Sequence, residues 1–151
     1  MSAVSRLLDT TIGAGFWNQD ELVCGQLLVA DSDGSVVAVG AASLDEAEPN
    51  ASGPVGHIRL VAVDALQRGQ GIATALVREL MTWCHLGGAT SYVAYAWVHG
   101  RGGTAPLAGA LRRTGFYLNG RIERFYAGAG PDSCPACSSV PCECPAEVYW
   151  C

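Results

Sequence analysis

A short apolar run, Leu60-Val61-Ala62-Val63, leads through a brief spacer into Arg68-Gly69-Gln70-Gly71-Ile72-Ala73 and then into a helical repeat. No other part of the chain constrains the fold as much. Ile72, Leu76, Leu80 and Trp83 or Cys84 recur at three- and four-residue spacing, with Ala73, Val77 and Met81 alongside, which is the stripe of an amphipathic helix. Gly87-Gly88 ends it. The run 91–98 that follows carries no charge, as expected of a strand buried on both faces and parallel to its neighbour. A strand, a helix and a second strand in that order make a crossover unit.

The rest of the chain builds outward from that unit. Residues 3–11 suit a short helix, broken by Gly13 and Gly15. Residues 26–31 and 35–42 read as strands joined by the turn Asp31-Ser32-Asp33-Gly34, hence an antiparallel hairpin. The acidic stretch 44–54 reads as an exposed loop, and 57–63 as a third strand. After the Gly-rich loop 99–103, Thr104 suits a helix cap, with Pro106 in the first turn and Gly115 at the end. Residues 116–126 read as extended, interrupted at Asn119-Gly120 by a hairpin turn or a bulge. A last strand is expected over 147–150. The fold class is α/β (α+β): a mixed central sheet flanked by helices, in one domain over 1–151.

With half its residues hydrophobic and only 15% charged, the chain has the composition of a packed core and not of a disordered segment. No apolar run is long enough to span a bilayer, and the first residues lack a basic segment followed by an apolar core, so the expected location is cytoplasmic. Nine Lys+Arg against fourteen Asp+Glu argue against general binding to nucleic acid, which needs a basic face. A mildly acidic surface suits a cationic amine.

The glycines in 68–73 let backbone approach a ligand closely. The helix opening at Gly71 leaves its first N–H groups unpaired, with the positive end of its dipole there, so the turn suits a pyrophosphate. It lacks the Lys-Ser/Thr ending of an ATP-binding loop and the dinucleotide spacing. Here the chain resembles the GNAT superfamily of GCN5-related N-acetyltransferases. The signature of that superfamily, Gln/Arg-x-x-Gly-x-Gly/Ala, is met by Arg68-x-x-Gly71-x-Ala73 after Val63. The charge-free strand, the helix after it and Thr114-Gly115-Phe116 agree with the family as well, so the likeness spans roughly 35–126. About 25 residues precede the first clear strand, where the family usually has a strand and two helices walling the acceptor site. Such a short front would leave that site open or let a partner chain complete it.

The resemblance implies acetyl-CoA as cosubstrate and a small-molecule or peptide amine as acceptor. It implies that Arg68, Gly69, Gln70, Gly71, Ile72 and Ala73 hold the pyrophosphate, that Val61, Ala62 and Val63 line the pantetheine arm, and that the sheet splays between the third and fourth strands. Family members often carry a Glu six positions before the strand's terminal Val, where this chain has His57. A histidine has a pKa suited to taking the proton of an ammonium substrate. Arg59 points to the same side as His57 if the strand is regular. The Tyr that many members use as acid is Leu111 here, leaving Tyr95 or Tyr92 as substitutes. A homodimer is the family expectation.

Cys134, Cys137, Cys142 and Cys144 form a CxxC and a CxC pair in a Cys-rich insertion at about 130–145. Four thiolates this close suit a tetrahedral structural zinc; reduced free thiols or a redox pair are the alternative. Cys84, on the helix, reads as a buried apolar residue. The leading expectation is therefore an N-acetyltransferase. Its rivals are a catalytically weak acyl-CoA-binding or partner-docking module and, against the acidic charge, a zinc-knuckle protein for nucleic acid.

Overall fold

The computed structural model describes residues 2–46, 52–100, 102–129 and 134–151. Helix α1 (Ala3–Leu8), capped by the Ser2 hydroxyl on the Ser5 N–H, runs into a π turn at Asp9–Gly13. Helix α2 (Gln19–Val23), absent from the sequence reading, is capped by Asn18 Oδ1 on the Glu21 N–H at 2.9 Å. Then come β1 (Gln26–Ser32), β2 (Ser35–Asp45), β3 (Val55–Val63), a 3₁₀ turn (Ala65–Gln67), α3 (Ile72–Leu86), β4 (Ser91–Trp97), α4 (Ala108–Arg113), β5 (Tyr117–Ile122) and β6 (Ala146–Trp150).

The sheet has the order β1-β2-β3-β4-β6-β5, antiparallel except for the β3–β4 pair. Its two faces carry separate cores. On one, Val77, Leu80 and Cys84 of α3 and Leu111 of α4 meet Ile58, Ala94, Ala96 and Val98. On the other, Leu7 and Leu8 of α1 and Leu22 of α2 cover Val39, Ala41, Leu60 and Ala62. Burying each such Leu or Val stabilises the fold by about 1.5–3 kcal/mol. Cys84 is fully buried beneath α3, as its apolar reading required.

Several boundaries differ from the sequence reading. Strand β2 continues through Asp45, because Ser43, Leu44 and Asp45 pair with His57, Gly56 and Val55. That pairing claims the start of the expected exposed loop; part of the remainder, 47–51, lies outside the described residues. Thr104 does not cap α4: its carbonyl accepts the His99 N–H at 3.2 Å, closing the 99–104 loop on itself, and α4 begins at Ala108 after an uncapped Leu107. The extended stretch stops at Ile122 and turns, and Asn119-Gly120 proves to be a bulge against β6. Although the front lacks a strand, α1, the π turn and α2 all pack on the sheet.

Two irregularities position the site. Ala41 pairs with Leu60 and Ala42 with Ile58, so Arg59 is an extra, bulged residue in β3. The parallel β3–β4 ladder runs from Val55↔Ser91 to Ile58↔Ala94 and ends there. Beyond it the two strands follow their outer partners, β2 and β6, and part.

Candidate active site

A cavity of about 760 Å³ occupies this parting. Its lining includes Arg68, Gly69, Gly71, Ile72 and Ala73, with Arg78 of α3 and Arg113 of α4. Gly69 and Gly71 hold φ of +78° and +80°, the left-handed region where a side chain is strained. Nothing lies within 4 Å of a Cβ built at either. These glycines are thus required by backbone conformation, and they leave open space before the loop. Helix α3 has no side-chain cap, so its first N–H groups face that space without intrahelical partners. The signature residues do not all behave alike. Gln70 is outside the lining and bonds Gln67, while Arg68 Nε donates to the Val63 carbonyl at 3.2 Å, tying the loop to the end of β3. Val61, Ala62 and Val63 all line the cavity.

Another part of the lining is aromatic. Tyr95 and Trp97 alternate with buried Ala94 and Ala96 along β4, so their rings stand on the α1/α2 face. They belong to a continuous row of rings. His57 lies 5.4 Å from Tyr95, Tyr95 stacks on Phe125 at 5.3 Å, and Phe125 meets Tyr126 at 4.9 Å. Tyr126 in turn meets Trp97 at 5.7 Å, and Trp97 lies parallel to Phe16 at 6.1 Å. Trp97 Nε1 is buried with no acceptor among the described residues. Among the described residues, Glu21 of α2 is the one acid in the lining.

His57 is near the cavity but does not line it; Tyr95 and Arg59 do. Its Nδ1 lies 3.2 Å from Asp45 Oδ2. Asp45 also accepts from Arg59 Nη2 at 2.8 Å and Ser43 Oγ at 3.0 Å, while Arg59 Nε donates to Ser43 Oγ at 2.8 Å. Burial, then the Arg59 charge, lower the His57 pKa below its ordinary 6.5, against the opposing pull of Asp45. Burial raises the Asp45 pKa, but the Ser43 and His57 hydrogen bonds and the Arg59 charge outweigh it, so its carboxyl ends below the usual 3.8. Sequence reading missed Asp45, which sits in what looked like a loop, and Ser43, which fell between that loop and the expected strand; a strand register reaching Asp45 was the signal. Tyr92, the alternative acid, lies on the opposite face: a Cβ at Gly56 would meet both Tyr92 and Cys84 at 2.8 Å. Leu111 is fully buried in the core.

The four cysteines converge. Their sulfurs all lie within 4.8 Å of one another, with Cys134–Cys144 at 3.6 Å and Cys137–Cys142 at 3.9 Å. A tetrahedron with metal–sulfur bonds of about 2.3 Å has edges of about 3.8 Å. Backbone N–H groups of Gly100, Ala136 and Cys144 point at the sulfurs of Cys144, Cys134 and Cys142 at 3.3–3.4 Å, as suits thiolates. Burial raises the pKa of Cys134 and Cys142. Cys137 is drawn down to about 6 despite burial, by the Glu143 and Ser139 backbone and by the neighbouring thiols. The cluster packs directly against Phe16, Trp97 and Tyr126, the rings of the cavity wall.

The sequence profile of the Acetyltransferase (GNAT) family matches residues 7–105. No curated protein matches the chain. Among solved structures, the IAA acetyltransferase from Bacillus cereus superposes with a TM-score of 0.72 at 16% identity, covering 96% of this chain and 89% of that one. Arabidopsis thaliana Naa50, in complex with the bisubstrate analogue CoA-Ac-MVNAL, gives 0.68 at 16% identity over 98% and 89%. A GNAT-family acetyltransferase from Streptococcus pneumoniae gives 0.58 at 12% identity, and the chain spans 64% of its length. At these identities the likeness is one of fold.

Proposed function

Because the chain belongs to the GNAT acetyltransferase family, we propose that it transfers an acetyl group from acetyl-CoA to a primary amine by direct attack. The observation that supports this most is the left-handed Gly69/Gly71 turn and uncapped α3, opening onto the parting of β3 and β4. In this reading the N–H groups from Gly69 to Ala73 hold the pyrophosphate, and Arg68, Arg78 and Arg113 supply positive charge around it. The inner edge of β3 at Val61 and Val63 pairs with the pantetheine arm as an added strand would, beside Ala62. An N–H near Val61 polarises the thioester carbonyl.

His57, held by Asp45, accepts one proton from the ammonium through water, since it stands one ring behind the cavity wall. The amine nitrogen then forms the C–N bond as the C–S bond breaks. The second proton lost by nitrogen goes to the departing thiolate, with Tyr95 as the hydroxyl placed to relay it. Positioning supplies most of the rate. The four cysteines hold a structural zinc: all four ligands come from the protein, leaving no open position for catalysis.

One observation favours a second reading, acyl-CoA binding with weak turnover. The helix position where relatives carry an acidic Tyr is Leu111, sealed in the core. A thermal-shift titration with acetyl-CoA, free CoA and ATP tests the common ground. Both CoA species are expected to raise Tm, by about 2.7 kcal/mol of stabilisation at a hundredfold excess over Kd, and ATP to have no effect. Folded protein that ignores acetyl-CoA would sink the assignment. Release of free CoA thiol with a panel of amines then separates enzyme from binder.

A further inference from the structure

We infer that the acceptor is a monocationic amine on an aromatic body, an arylalkylamine, seated against the Phe16–Trp97–Tyr126–Tyr95 wall of a cavity whose Glu21 carboxylate attracts its charge. The inference rests on the acetyl-transfer reading of the cavity and adds the substrate class to it.

The charge inventory argues against polycationic and free amino-acid acceptors. A polyamine or an aminoglycoside carries several cationic centres and needs several carboxylates. Among the described residues this cavity offers Glu21 alone against Arg59, Arg68, Arg78 and Arg113. A free amino acid needs a cation for its carboxylate near the reacting amine. On the aromatic face that cation is Arg59, whose charge is already balanced by Asp45 at 2.8 Å while its Nε holds Ser43. The remaining arginines stand on the glycine loop, α3 and α4, where the acetyl-transfer reading puts the pyrophosphate.

What the wall offers instead is ring surface. Trp97 and Phe16 lie parallel within 5°, and Tyr126 is tilted at 50° against Trp97, so two orientations of π-face border one volume. Such surfaces attract both aromatic rings and ammonium groups. The wall is built rigidly, because Phe16, Trp97 and Tyr126 are all packed on the cysteine cluster. Glu21 lies close enough to Tyr126 for its charge to act on the phenol. A cation entering the cavity is attracted by the carboxylate and by the ring.

The test uses the full chain with its metal retained. Initial rates with phenethylamine, spermidine, phenylalanine and a peptide beginning with Phe are compared at saturating acetyl-CoA. Phenethylamine is expected to have a kcat/KM at least tenfold above the other three. Equal or better turnover of spermidine or phenylalanine overturns the inference, and equal turnover of the peptide overturns the small-molecule source. Glu21→Gln leaves the Asn18 cap intact, because that cap uses the Glu21 backbone. This variant is expected to raise the phenethylamine KM about tenfold with the acetyl-CoA KM unchanged; an unchanged amine KM counts against the site. If no amine is turned over, the transfer reading fails, yet the inference is still decided by binding. Phenethylamine must then change the intrinsic tryptophan fluorescence saturably in the presence of CoA, spermidine must not, and Glu21→Gln must weaken the response. Absence of a saturable change overturns it.

Discussion

Replacing Gly71 with alanine separates the two roles that the glycine loop combines, backbone conformation and space for a ligand. Gly71 and Gly69 sit at φ of +80° and +78° with no atom within 4 Å of an added Cβ. The methyl group therefore meets no clash, and the cost is conformational: about 1–2 kcal/mol for a left-handed L-residue. Alanine also restricts the unfolded chain, which returns about 0.4–1 kcal/mol. The net loss is about 1 kcal/mol, or about 2–4 °C in Tm for a chain of this size. Gly34 supplies the control. It has φ of +79°, the same empty surroundings, and a place in the β1–β2 turn, outside the cavity lining. Gly34→Ala and Gly71→Ala should lower Tm equally by differential scanning calorimetry. In an acetyl-CoA titration, Gly34→Ala should bind like the parent, while Gly71→Ala should lose at least tenfold in affinity, about 1.4 kcal/mol. If Gly71→Ala binds acetyl-CoA as the parent does, the loop is a structural turn and the phosphate assignment falls. If Gly34→Ala costs nothing, the strain argument is wrong.

Other expectations concern the base, its partner and the metal. With its pKa lowered by burial, His57 stays neutral below its ordinary 6.5, so the acid limb of kcat/KM should lie under that pH. Asp45 opposes the lowering, so Asp45→Asn should shift the limb further toward acid and reduce kcat; a shift toward alkaline pH would refute the pairing. The same lowering bears on stability. The contribution of neutral His57 is complete above the unfolded value near 6.5 and is lost as pH falls toward the folded one, so His57→Gln should flatten Tm against pH in that window. Metal analysis of the purified chain should give one zinc per chain. Cys144→Ser, which removes one of the four thiols and the acceptor of the Gly100 N–H, should abolish it. Because the cluster backs Phe16, Trp97 and Tyr126, that variant should raise the amine KM more than the acetyl-CoA KM; equal effects on both would show general unfolding.

Local chemistry made the crossover unit legible. An amphipathic repeat, a pair of glycines and a charge-free strand each have a single good local solution, and α3, β3 and β4 formed within two residues of the expected bounds. The hairpin at Asp31–Gly34 was legible for the same reason: Asp33 and Gly34 take positive φ, and the Asp31 carboxylate accepts the Gly34 N–H at 3.0 Å. The misses lie where partners distant in sequence decide. Leu44 and Asp45 look like loop residues until β3 pairs with them. Thr104 looks like a cap until His99 takes its carbonyl.

By itself, then, the sequence determined the fold class, the glycine loop and the cysteine set, because backbone propensity, apolar period and residue spacing act over a few neighbouring residues. Tertiary structure alone decided which side chains share the cavity. The Arg59 bulge, the end of the β3–β4 ladder and the turn bearing Phe125 and Tyr126 bring residues from 16 to 126 to one surface. Such contacts depend on strand register and on the face each residue takes, and a shift of one residue would reverse them all.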